Sequence, residues 1–264
     1  MDRSRFPRLR WRRPLRELPV GFDEVCWRSG ALGKRMAFVS RMPAAYHEHQ
    51  AQRYPVLYLL HGSGHDPYSV LREVRPQDHA ECLSGTLLIV PDGEQGWWLD
   101  SSLRQASHYG QYVLELVSHV DRLYRTLRDR VARGICGFSM GGYGAMLMAC
   151  RHPEVFGAAS SLLGMLDIEQ MFPDYPRLRM LLGNELSTWQ SHNPTRRAAS
   201  LEATRLLFST GTGALDRSQN DAFAAALEVL SIPYRFNLYP GVHDTSFVRR
   251  HLGEHLSFHA RCVP

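Results

Sequence analysis

Hydrophobic positions in this chain fall into short continuous runs, separated by longer segments where they recur every three or four residues. The runs PVLYLLHG (55–62) and GTLLIVPDG (85–93) are apolar at nearly every position and end in glycine turns, the pattern of parallel strands covered on both faces. By contrast DEVCWRSGALGKRMAFVSRMP (23–43) alternates and breaks at residues 30–33, which predicts a β-hairpin closed by Pro43. Over 109–127, Tyr112, Val113, Leu116, Val117, Val120 and Tyr124 lie at helical spacing. A strand ending near Ile135 and Cys136 follows, then a helix over 142–151 that stops at His152-Pro153.

The second half continues the alternation. VFGAASSLLG (155–164), TRLLFSTG (204–211) and YRFNLYPG (234–241) predict strands, while 218–233 and 246–261 predict helices. Residues 165–200 are rich in turn formers without a clear strand, and read as an excursion over the sheet. Strands alternating with helices imply an α/β fold, a doubly wound, mostly parallel sheet with an N-terminal β-hairpin.

Between the strand ending at Cys136 and its helix stands GFSMG (137–141). A turn that sharp crowds the backbone at Ser139, so glycines two before and two after it relieve the conflict and leave the hydroxyl exposed. The free N–H groups of the helix start favour negative charge on a nearby oxygen. Ser139 is therefore a candidate nucleophile, Met140 a backbone donor to an oxyanion, and Ser63 in the Gly-rich turn HGSGHD the second donor.

A serine needs a base, and a base needs an orienting carboxylate. Of 13 histidines, His243 follows the last predicted strand and so lies on the same carboxyl edge as Ser139. His251, His255 and His259 sit four apart within the last helix and read as one helix face, His152 precedes a proline, and His108 and His192 are loop alternatives. Asp216 follows strand 204–211, with a helix N-cap as its other role and Asp221 as the fallback acid. Asp244 points away if His243 points in. Trp97 and Trp98 follow strand 85–93 and are candidates for lining a substrate pocket.

Composition narrows the classes. Five cysteines without close pairs argue against a disulfide framework and a zinc site, and no metal or cofactor is expected. No apolar run reaches membrane-spanning length and the N-terminus lacks a secretory signal pattern, so the expected location is cytoplasmic, without membrane contact. The net charge of +5 is concentrated in seven arginines between Arg3 and Arg16. That stretch reads as a poorly ordered arm over 1–18 rather than a nucleic-acid site, leaving 19–264 as a single domain. A homo-oligomer stays open.

With these residues in view, the chain resembles the serine-esterase family that includes esterase D (S-formylglutathione hydrolase), tributyrin-type esterases, feruloyl and acetylxylan esterases, and antigen 85 mycolyltransferases. The likeness rests on YPVLYLLHGSG, VDRLYRTLRDRVARGICGFSMGGYGAM, GTGALD and YPGVHDTSFVRRHLGEHLSFHA, which stand in family order. It implies an α/β-hydrolase fold with Ser139 as nucleophile, Asp216 as acid, His243 as base, and Ser63 and Met140 as oxyanion donors. The stretch STGTGALD departs from the family's usual Cys-Gly-Thr beginning, and Thr245-Ser246-Phe247 stands where an aromatic residue often follows His-Asp. The implied activity is hydrolysis of small-molecule, short-acyl esters through an acyl-enzyme. An S-formylglutathione hydrolase-like thioesterase, a feruloyl or acetyl esterase, and a non-catalytic binding protein of hydrolase fold are the alternatives.

Overall fold

The computed structural model describes residues 18–260. The arginine-rich arm lies outside these residues up to position 17, as do the last four residues. Eight strands form one sheet in the order β1-β2-β4-β3-β5-β6-β7-β8. The expected hairpin is β1 (Phe22–Ser29) and β2 (Lys34–Arg41), paired antiparallel, and β2 pairs antiparallel with β4 (Leu87–Pro91). From β4 onward, β3 (Val56–Leu60), β5 (Arg133–Phe138), β6 (Ala158–Leu162), β7 (Arg205–Gly211) and β8 (Arg235–Tyr239) are all parallel.

The near-continuous apolar runs are explained by burial on both faces. In β3, Val56, Tyr58 and Leu60 join one core cluster and Leu57 and Leu59 the other; Leu87 and Ile89 of β4 are likewise separated from Leu88 and Val90. The larger cluster is covered by α2 (Tyr109–Leu123), α3 (Met140–Arg151) and α6 (Arg217–Val229), the smaller by α7 (Thr245–Ala260) and the β3–β4 crossover. That crossover holds only short helical turns, among them α1 (Pro67–Ser69), so α2 is the first long helix. The excursion carries α4 (Pro176–Leu182) and α5 (Leu186–Ser191) and no strand. Among the described residues, no helix is long and apolar enough to cross a membrane.

Histidines spaced four apart on α7 do form one face. His251 stacks on the Tyr239 ring at 4.1 Å. His255 and His259 are buried, their Nε2 atoms 2.9 Å from Ser209 Oγ of β7 and Ser160 Oγ of β6 respectively. Burial, then the nearby Arg205 charge, lowers the His259 pKa to about 3. His255 is held well below its ordinary value by burial, then by His259, His251 and Arg235.

Both imidazoles are neutral in the folded chain but free to protonate once it unfolds. Between about pH 6.5 and pH 3 the unfolded state therefore binds more protons, so stability falls as pH falls through this window. The urea midpoint is expected to drop steadily from pH 7 to pH 4, and His259→Gln to flatten part of that slope; an unchanged slope in the variant would rule His259 out as a source.

Candidate active site

β5 ends at Phe138 and α3 begins at Met140, so the chain reverses within a single residue, Ser139. It does so at φ 54°, ψ −120°, a conformation costing a non-glycine residue about 1–3 kcal/mol. The surroundings enforce it: the Ser139 N–H donates to the Leu162 carbonyl at 2.9 Å and its carbonyl accepts from the Tyr143 N–H at 3.0 Å. A Cβ on Gly137 would run into the Gly141 carbonyl, and one on Gly141 into the Leu60 carbonyl. This is the physical content of the glycine spacing. Ser139 occupies the N-cap position, yet its side chain makes no capping bond.

The hydroxyl instead meets His243, whose Nε2 lies 2.9 Å from Ser139 Oγ. His243 Nδ1 lies 2.6 Å from Asp216 Oδ1. A carboxylate only accepts, so Nδ1 carries the proton and Nε2 is left to accept from the serine. His243 stands in the loop between β8 and α7, and Asp216 in the loop between β7 and α6. The two loops are drawn together where the Gly213 N–H donates to the Gly241 carbonyl at 2.9 Å. Side chains 104 and 27 residues apart thus converge on the carboxyl edge of the sheet.

Asp216 is fully buried, and its charge is met by donors rather than by a cation. Oδ2 accepts from Thr210 Oγ1 at 2.6 Å and from Asn220 Nδ2 at 2.9 Å, and Asn220 Nδ2 also donates to the Gly164 carbonyl at 2.9 Å. Although Asp216 holds the N-cap position of α6, its side chain does not cap the helix. Sequence reasoning missed Thr210 and Asn220. Their only signal was placement, one residue inside the end of β7 and one helical turn after Asp216.

The alternatives are accounted for elsewhere. Asp221 pairs with Arg217 at 2.7 Å, and Asp244 Oδ1 accepts from the Phe247 N–H at 2.7 Å. His192 is buried, its Nδ1 2.9 Å from the Thr188 carbonyl, and burial followed by Arg151 lowers its pKa to about 4. The Ser160–His259 and Ser209–His255 pairs have no carboxylate behind them: Nδ1 of each histidine is buried without a partner.

Of the two amides expected to serve as oxyanion donors, Ser63 and Met140, neither has a hydrogen-bond partner among the described residues. Ser63 stands two residues after His61, whose Nε2 accepts from the Gly93 N–H at 2.8 Å. The expectation that Trp97 and Trp98 line a pocket is revised, because both are buried in the larger core cluster at 1% and 0% exposure. Trp98 Nε1 donates to the His61 carbonyl at 3.2 Å, and Trp97 packs edge-on against Tyr143 and Tyr175. An indole is as suited to core as to pocket, and sequence position alone does not separate the two. No cluster of three or more metal-ligating side chains occurs among the described residues.

A family model described as "Putative esterase" matches residues 29–257. An esterase of Mycobacterium tuberculosis is 29% identical over 130 residues, covering 45% of this chain and 27% of the relative; the match spans about a quarter of that relative's length. The S-formylglutathione hydrolase of Arabidopsis thaliana is 23% identical over 271 residues, covering 89% of this chain and 91% of that one. Among solved structures, the fluorophosphonate-binding serine hydrolase F of Staphylococcus aureus superposes with a TM-score of 0.80 at 20% identity, covering 90% of this chain and 98% of the other. That likeness shows the fold, the α/β-hydrolase fold.

Asn220→Ala would strip a buried carboxylate and a carbonyl of one donor. The expected cost is about 1–3 kcal/mol of stability, measured by urea denaturation above pH 7; a loss below a few tenths of a kcal/mol would show that Asn220 does not carry the Asp216 charge.

Proposed function

This chain belongs to the esterase family, and from that premise we propose that it is a serine carboxylesterase acting on short-acyl esters of small alcohols through a covalent acyl-enzyme. The observation that carries the reading is the unbroken relay from Asp216 through His243 to the Ser139 hydroxyl at the strained turn. His243 Nε2 takes the serine proton as Oγ attacks the ester carbonyl. The Met140 and Ser63 amides receive the oxygen that becomes negative. The alkoxide leaves with the proton held by His243, and water then attacks the acyl-serine by the same route in reverse order. Asp216 holds the imidazole in the required tautomer and stabilises its charged form.

Residues 19–264 form the catalytic domain in this reading. A cytoplasmic location and independence from nucleic acid belong to it as well and rest on the sequence. A thioesterase of the S-formylglutathione hydrolase kind is the second reading. It uses the same residues on a thiolate leaving group and is favoured by the near full-length likeness to a protein of that name. The relay, complete in every member, weighs against a binding protein without activity.

Hydrolysis of p-nitrophenyl esters from acetate to decanoate is expected to be fastest at short acyl lengths and to vanish in Ser139→Ala with the fold retained. Asp216→Asn is expected to lower kcat by about 10⁴-fold. Full turnover by Ser139→Ala would overturn the assignment, and turnover of thioesters alone would select the second reading.

A further inference from the structure

The two proposed oxyanion amides are held very differently. Met140 is the first residue of α3, fixed behind the strained serine. Ser63 lies on an exposed loop next to Gly64 at φ 81°. The turn's own backbone bond, from the His65 N–H to the Gly62 carbonyl at 3.1 Å, leaves the Ser63 amide unheld. What does reach Ser63 is a chain of side-chain bonds. Ser63 Oγ donates to Gln95 Oε1 at 2.6 Å. The Gln95 carbonyl in turn accepts from Arg177 Nε at 3.0 Å and Nη2 at 2.8 Å.

Arg177 belongs to α4, in the excursion, and no carboxylate pairs with it among the described residues. Its guanidinium is thus committed to one carbonyl. The helix carrying it is fastened to the same loop by Ser101 Oγ, which donates to the Leu181 carbonyl at 2.7 Å, and by Tyr175 packing edge-on against Trp97 at 5.3 Å.

Resting on the esterase reading, we propose that Gln95 and Arg177 are positioning residues that set the Ser63 amide in the oxyanion hole, so that the excursion serves as a brace. Neither touches the reacting atoms. Gln95 acts on the amide through the Ser63 hydroxyl, and Arg177 acts through the backbone of Gln95. An amide set in advance stabilises charge that develops only in the transition state, so the brace works on kcat rather than on substrate binding.

Ser63→Ala keeps the amide and Gln95→Ala keeps the carbonyl that Arg177 grips, so the two variants cut one bond from opposite ends. Each is expected to lower kcat about tenfold with KM within about twofold, and the double variant to be no worse than the poorer single one. Affinity for an alkylboronic acid, whose adduct on Ser139 directs an oxygen into the same hole, should fall in parallel. Arg177→Met should behave similarly, with partial recovery in Arg177→Lys. Stoichiometric labelling of Ser139 by a fluorophosphonate verifies an assembled site in each variant. Wild-type kcat in both single variants, multiplicative losses in the double variant, or losses confined to KM would overturn the brace while leaving the esterase reading standing. A wild-type protein that hydrolyses no ester and takes no fluorophosphonate would remove that reading, and the brace with it.

Discussion

The reversal of the chain at Ser139 is the constraint on which the rest of the site depends. A strand directed at solvent and a helix directed away from it meet at one residue with a left-handed φ of 54°. That conformation survives because β6 accepts the Ser139 N–H and because glycines at 137 and 141 let neighbouring carbonyls come closer than any side chain allows. The strain of about 1–3 kcal/mol is offset by the packing of α3 and β5 in the core. In return the hydroxyl is freed from capping its own helix and projects beyond the sheet edge, where His243 can reach it.

The second requirement is a negative charge kept out of water. Among the described residues no lysine or arginine pairs with Asp216; its charge is solvated by the hydroxyl of Thr210, the amide of Asn220 and the ring N–H of His243. A buried carboxylate with three donors is tolerable, and one with two is costly. The same bonds that stabilise the carboxylate therefore orient the imidazole. In the proposed reading, local stability and catalytic geometry are one arrangement.

Among the described residues, three serine–histidine contacts made through Nε2 share one length, 2.9 Å. They differ in what stands behind the imidazole and in front of the serine. His255 and His259 face the sheet from α7 with their second nitrogens unpartnered, buried where no substrate arrives. His243 has a carboxylate behind it and a half-exposed serine in front. The chemistry follows from that surrounding rather than from the pair itself.

The alternation of strands and helices, the hairpin, the serine turn and the carboxyl-edge candidates were legible in the amino-acid sequence because each is encoded locally, by hydrophobic period and by glycine spacing. His243 and Asp216 could be narrowed because a parallel sheet sends its loops to one edge. What the chain's order could not express is which side chains meet across loops. Thr210, Asn220, Gln95 and Arg177 are ordinary polar residues with no period or motif, and their partners lie up to 82 residues away. Trp97 and Trp98 looked like pocket walls by position and are core by packing. Only tertiary structure decides such matters, because burial and hydrogen-bond partnership are properties of the folded neighbourhood and not of any segment read alone.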